Sequence, residues 1–245
     1  MIEIIPLTGI GEVQPGDDLA DVLRGALDRC GIEPRPDDIL VVTQKIVSKA
    51  HGRFVALDDV VPGDEALRLA DITRKDARLV QLVLDESSAI IRAVPHVLIA
   101  RHRLGHVMAN AGIDRSNIGA GAGDRALLLP VDPDATAASL HRQLAMPVII
   151  SDSFGRPWRM GVVAVAIGAA GLPALDDRRG EIDRDGRTLE VTQIALGDII
   201  ATAACLATGE GAEGIPAALL RGYAVAGASR PAADLVRPSH EDLFA

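Results

Sequence analysis

Aromatic side chains are nearly missing from this chain, with one Trp, one Tyr and three Phe in 245 residues. Successive stacking platforms for single-stranded nucleic acid need more rings than that, so base-stacking recognition is excluded. The core must rest on Ala, Val, Leu and Ile instead. Positive charge is also in short supply: 25 Lys and Arg face 34 Asp and Glu, a formal net charge of −9. A general phosphate-backbone binder would carry the opposite balance. Any nucleotide must therefore be held by a local cluster of cationic groups and metal, and no nucleic-acid partner is expected. Cysteine is limited to Cys30 and Cys205, far apart and without a CxxC partner. Both read as buried thiols in a reducing compartment. Long hydrophobic runs are absent too. The longest uncharged stretch, Met160 to Leu175, is shorter than a membrane span and is broken by Gly161, Gly168, Gly171 and Pro173. The first residues start directly as a strand, without a basic n-region or cleavage site, so the expectation is a cytoplasmic protein with no membrane partner. None of the six histidines is spaced as a zinc set, and His102 and His106 straddle a turn. Walker A, dinucleotide-fold, kinase and nucleophile-elbow motifs are all missing.

What is present reads as a globular chain without repeats or low-complexity linkers, long enough for one large domain or two small ones. Residues 2–5 form a strand. Asp17 or Asp18 caps a helix with Leu19, Val22, Leu23, Ala26 and Leu27 on one face, ended by Gly31. Ile39-Leu40-Val41-Val42 is a continuous apolar strand of the kind buried on both faces. The spacing predicts one helix over 64–84, strands over 89–94 and 97–101, and a helix from Asp132-Pro133-Asp134 to about Leu144. Val162 to Ala170 reads as a second buried strand, in which Gly168 allows close backbone approach. Thr192 to Ala207 reads as a helix, and Leu219 to Tyr223 as the last strand.

Five stretches hold the chemistry. Pro147-Val148-Ile149-Ile150 ends in Ser151-Asp152-Ser153, then Phe154-Gly155-Arg156-Pro157-Trp158-Arg159. An acid and a hydroxyl at the end of a strand suit Mg²⁺ or Mn²⁺, and two arginines can clamp a phosphate or carboxylate. A turn with a helix-capping Asp and solvated arginines fits the same residues. The loop Thr8-Gly9-Ile10-Gly11-Glu12-Val13 either admits a nucleotide to backbone amides or is a plain turn. Thr43-Gln44-Lys45-Ile46-Val47-Ser48-Lys49 sets two lysines just past a buried strand, where they can meet phosphates or simply start a surface helix. Asn110 to Gly119, extended by Ala120-Gly121-Ala122-Gly123, is a long polar loop in which Asp114 is a candidate metal carboxylate and Asn117 a candidate base or ribose contact. An Asx-turn is the competing reading. Gly209-Glu210-Gly211-Ala212-Glu213-Gly214 brings two further acids on a glycine-rich loop.

The order Pro-Gly-Asp-Asp (15–18), Thr-Gln-Lys-Ile-Val-Ser-Lys (43–49), Gly-Ile-Asp-Arg-Ser-Asn (112–117), Leu-Leu-Pro-Val-Asp-Pro-Asp (128–134) and Ser-Asp-Ser-Phe-Gly-Arg-Pro-Trp-Arg (151–159), then Gly-Ala-Ala-Gly-Leu (168–172), resembles the coenzyme F-420-0:L-glutamate ligases over nearly the whole chain. The resemblance implies an α+β fold of mixed sheets and helices, two-lobed, forming an intertwined homodimer. It implies a single domain over residues 1–245, without the nitroreductase-like extension of some members. The implied reaction is GTP-dependent amide formation between L-glutamate and the phospholactyl carboxylate of a deazaflavin, through an acyl phosphate. The implied ions are two Mg²⁺ or Mn²⁺, with K⁺ as a further candidate. Carried over by motif, the nucleotide meets Ile10, Gly11, Glu12, Val13, Gln44, Lys49 and Asn117. Metal falls to Asp114, Asp152, Ser153 and Glu210, and Asp152, Arg156 and Arg159 are the candidate catalytic residues. Ser153 stands where threonine is common, Gln44 where a small polar residue is, and Glu210 where lysine or glutamine is. A related ligase with another carboxylate acceptor, or a non-catalytic GTP binder, are the alternatives.

Overall fold

The computed structural model describes residues 1–119 and 123–242, so the expected loop extension at Ala120-Gly121-Ala122 lies outside the described residues. In chain order come β1 (Glu3–Pro6), α1 (Leu19–Arg29), β2 (Ile39–Thr43), α2 (Gln44–Ala50) and β3 (Phe54–Ala56). Then follow α3 (Asp64–Thr73), α4 (Ala77–Asp85), β4 (Ser87–Val94), β5 (Val97–His102), β6 (Val107–Ala109) and β7 (Arg125–Leu127). The chain continues with α5 (Pro133–Leu144), β8 (Val148–Arg156), β9 (Arg159–Ala170) and the short β10 (Asp176–Asp177). It closes with β11 (Gln193–Ile194), α6 (Leu196–Thr208) and β12 (Ala217–Arg221). The expected α+β class is what the structure shows.

The central sheet has the order β1-β12-β2-β8-β9. Its β2–β8 pair is parallel and its other pairs antiparallel. Successive residues of a strand face opposite sides, and here both sides are covered. Leu40, Val42, Val148, Ile150 and Leu219 enter one core with Leu23, Leu27 and Leu140 of α1 and α5. Ile39, Val41, Ile149 and Leu220 enter a second core beneath Ile200 and Ala204 of α6. That is why β2 reads as an unbroken apolar run instead of an alternation. Gly168 on β9 allows α5 to approach, because a Cβ there would collide with the carbonyl oxygen of Pro133. A third core, including Leu57, Leu69, Val80, Leu98, Ala126 and Leu128, gathers α3, α4 and the strands between residues 54 and 128.

The caps follow the side-chain chemistry. Asp18 accepts from the backbone amides of Ala20 and Asp21 at the start of α1, and Asp132 accepts from that of Ala135 at the start of α5.

Three expectations are corrected. The helix over 64–84 is two helices, because Arg74 takes a left-handed conformation (φ 54°) and Asp76 caps a fresh start by accepting from the Arg78 amide. The strand ahead of Asp152 does not stop there. β8 runs on to Arg156 and turns through Pro157-Trp158 into β9, with a register shift after Ile150, so Asp152 and Ser153 lie within a long hairpin. Finally, α6 begins at Leu196, since Gln193–Ile194 pairs with Asp176–Asp177 as strand.

Candidate active site

Because β2 and β8 run parallel, the residues that follow Val42 and Ile150 emerge at the same end of the sheet. There Thr43 leads into α2, and Ser151 continues to Asp152 and Ser153. A cleft of about 1040 Å³ opens at this end. Its wall takes residues from the first loop, α2, the 108–119 segment, β8 and β9, and the 208–216 loop. Of the residues singled out in the sequence, Ile10, Gly11, Glu12, Val13, Gln44, Lys49, Asp114, Asn117, Asp152, Ser153 and Glu210 all border it. Arg156 and Arg159 do not. Arg156 spans the hairpin and donates from Nη2 to the carbonyl of Met160 at 2.9 Å, while Arg159 is exposed beside the turn. Trp158 at that turn has φ 55° and is 83% exposed.

The cleft's polar groups are joined across long stretches of chain. Lys49, only 6% exposed, donates from Nζ to Glu12 Oε1 at 2.6 Å, which ties α2 to the first loop. Gln44 Nε2 donates to Asp114 Oδ2 at 2.7 Å, and Lys45 Nζ lies 3.4 Å from Asp114 Oδ1. Lys45 also donates to the Ser116 carbonyl at 3.1 Å. Asn117 takes a left-handed conformation and donates from Nδ2 to the Gly211 carbonyl at 2.9 Å, linking the polar loop to the last glycine-rich one. Ser153 Oγ donates to Glu210 Oε2, and Cys205 Sγ donates to Glu210 Oε1 at 3.1 Å. The sequence offers Lys45 as a phosphate contact beside Lys49 and Cys205 as a buried thiol, but it predicts neither one's carboxylate partner, and Cys205 is only half-buried. Lys45 is one of two lysines in its motif with nothing local to separate them, and Cys205 looks like any apolar position in α6.

Asp114, Asp152 and Glu210 repel one another. Burial, followed by the charge of Asp114, pushes the Asp152 carboxyl up to about 7, with Glu210 adding to the rise. The Ser153 amide and the Lys45 charge pull against it. Asp114 is also raised, first by burial, although Lys45 and Gln44 oppose this. Burial and then Glu210 push the Cys205 thiol up to about 11, so it is a protonated donor at neutral pH.

Oxygen donors held against their own repulsion fit a hard divalent cation. Among the described residues no group of three or more His, Cys, Asp and Glu closes around one point as a preformed cage. Mg²⁺ is commonly held by one or two carboxylates, with substrate phosphates and water completing the shell. Among the described residues, no helix is long and apolar enough to cross a membrane.

Comparison with known proteins gives a consistent picture. A family model described as F420-0:Gamma-glutamyl ligase matches residues 9–222. The chain is 42% identical to the Coenzyme F420:L-glutamate ligase of Methanothermobacter thermautotrophicus, over 99% of this chain and 98% of the relative. It is 44% identical to the protein of that name from Methanopyrus kandleri, over 90% of this chain and 86% of the relative. The one from Archaeoglobus fulgidus is 38% identical over 99% and 96%.

Proposed function

The chain belongs to the F420-0:gamma-glutamyl ligase family, and from that premise we propose that it joins L-glutamate to the phospholactyl carboxylate of coenzyme F420-0, with GTP as the phosphoryl donor. The observation that carries this reading is the convergence of Lys49, Asn117, Asp114, Asp152 and Glu210 on one cleft from four separate chain segments.

In the proposed reaction the acceptor carboxylate attacks the γ-phosphorus of GTP, releasing GDP and leaving an acyl phosphate. The amine of L-glutamate then attacks the acyl carbon, loses a proton and displaces inorganic phosphate, so an amide forms. No protein nucleophile takes part. Ile10 to Val13, Lys49 and Asn117 hold the nucleotide, with Lys49 exchanging its partner Glu12 for phosphate oxygens. Asp114, Asp152, Ser153 and Glu210 are the residues that would hold Mg²⁺ or Mn²⁺, with K⁺ as a further candidate ion. Divalent cations bound there would neutralise charge on the β- and γ-phosphate oxygens. Arg156 and Arg159 are assigned to the acceptor's phosphodiester. Because they lie off the cleft wall, we assign them this role in an intertwined, two-lobed homodimer, in which the hairpin reaches toward the partner.

The test is phosphate release from GTP with Mn²⁺ or Mg²⁺, L-glutamate and the deazaflavin acceptor, following product by mass. We expect growth by one glutamyl unit that depends on GTP and acceptor together. Turnover with a different carboxylate in place of the deazaflavin would instead assign another acceptor. GTP bound without phosphate release for any acceptor would defeat the enzymatic reading.

A further inference from the structure

Gln44 and Ser48 lie one helical turn apart at the start of α2, an i, i+4 pair that shares a helix face. Both are buried, Gln44 at 2% exposure and Ser48 at 0%. Ser48 Oγ donates to Gln44 Oε1 at 2.9 Å, and Gln44 Nε2 donates to Asp114 Oδ2 at 2.7 Å. The neighbours dictate which way the carboxamide faces. Turned over, it would set its carbonyl oxygen against a carboxylate oxygen, two acceptors at hydrogen-bond distance. The family resemblance implies Gln44 as a nucleotide contact, yet each end of its amide is engaged within the protein. Ser48 stands behind it, off the cleft wall.

We propose that Gln44 is a positioning residue that acts through Asp114, with Ser48 fixing its amide, so that α2 aims the Asp114 carboxylate at a divalent cation. The inference rests on the reading above that the cleft binds such a cation. Three observations support it. The Ser48–Gln44 bond is fully buried, so water does not compete for it, and the Gln44–Asp114 bond is half-buried at the edge of the cleft. It runs in one direction, since the serine hydroxyl can donate while the ionised carboxylate can only accept. It also joins two segments that no backbone ladder links, α2 and the loop around Asp114, which itself is pinned by a bridge between Asp114 and Leu127. Partners of this kind orient metal-binding carboxylates and typically matter by about 10–100-fold in metal affinity when removed.

Two variants of the full chain test this, Ser48→Ala and Gln44→Met, each titrated with Mn²⁺ by electron paramagnetic resonance and with GTP in the presence of a chelator. The expected result is a loss of Mn²⁺ affinity of roughly 10-fold or more in both, with metal-free GTP affinity near that of the unsubstituted chain and a melting temperature lowered by only about a few degrees. In an Asp114→Asn background, Ser48→Ala should cause no further loss. Unchanged Mn²⁺ affinity in both variants overturns the proposal. So does a selective loss of metal-free GTP affinity in Gln44→Met, which would return Gln44 to the nucleotide. An additive loss in the Asp114→Asn background also overturns it, by separating Ser48 from Asp114. If the unsubstituted chain binds no Mn²⁺, with or without GTP, the cation reading fails and this inference falls with it. The unsubstituted control thus distinguishes that failure from failure of the relay alone.

Discussion

The central sheet holds acids at both ends, and they are in opposite electrostatic states. Asp38 lies just before β2, fully buried. Burial alone would raise its carboxyl, but Arg221 donates to both its oxygens at 2.7 Å and the Arg35 amide donates at 2.8 Å. Those bonds hold it below the usual carboxylate range. At the other end, Asp152 is in the company of Asp114 and Glu210, with Lys45 as the nearby cation, and is pushed up to about 7. One acid carries its counter-ion within the fold. The others are gathered in excess of their cations. The first arrangement stabilises the chain at little chemical consequence, whereas the second stores repulsion that a positively charged ligand relieves.

The sharpest way to break this contrast is Asp152→Asn. It should reduce turnover by about 100-fold or more while leaving the melting temperature unchanged or higher, because the removed charge is unfavourable in the ligand-free chain. Near-normal turnover at saturating metal would sink the assignment of Asp152. At the opposite end, Arg221→Met strands the Asp38 carboxylate. It should lower the melting temperature by roughly 10 °C and leave turnover of the folded protein intact; calorimetry and product assay together decide this. The smallest effect concerns pH. The Asp152 carboxyl binds its proton more tightly folded than unfolded, so its stabilising contribution is full below about pH 4 and is lost as pH rises through about 7. Asp38 runs the other way, with stability present above the ordinary carboxylate range and lost as pH falls through its lowered folded value. Metal-free melting temperature should therefore decline slightly from pH 5 to 8. Glu210→Gln removes one repelling charge, so the midpoint of that decline should move to lower pH. A midpoint that stays put would disconnect Glu210 from Asp152.

Much of this contrast is legible in the sequence, and the rest is not, for physical reasons. β2, the Asp18 and Asp132 caps and the close approach at Gly168 depend on local chemistry that sequence spells out. Asp38 is indistinguishable in sequence from its neighbour Asp37, because its partner Arg221 is distant in the chain. The break between α3 and α4 escapes a periodicity reading, since Arg74 has no composition signal for its left-handed conformation. The hairpin turn hides for the same reason at Trp158, a bulky residue at positive φ. At the cleft, the acids, Lys49 and Asn117 could be picked out one by one from their motifs. Which of them touch could not: the Gln44–Asp114 and Asn117–Gly211 bonds are made between residues far apart in sequence. The Ser48–Gln44 spacing of one helical turn was there to be read, but its meaning depends on Asp114 being at the other end.

The parallel pairing of β2 with β8 also bears on how the molecule is made. Leu40 meets Val148, and Glu3 meets Arg221. About a hundred residues emerge between the two strands that carry the cleft, and almost the whole chain between the sheet's first and last strands. Contacts of such separation form slowly, and only after the intervening chain has been made compact. The third core lies wholly within that interval and is free to collapse while the ribosome is still translating β8. The cleft, which spans the β2–β8 pairing and also takes the 208–216 loop just ahead of β12, is then among the final features the nascent protein acquires.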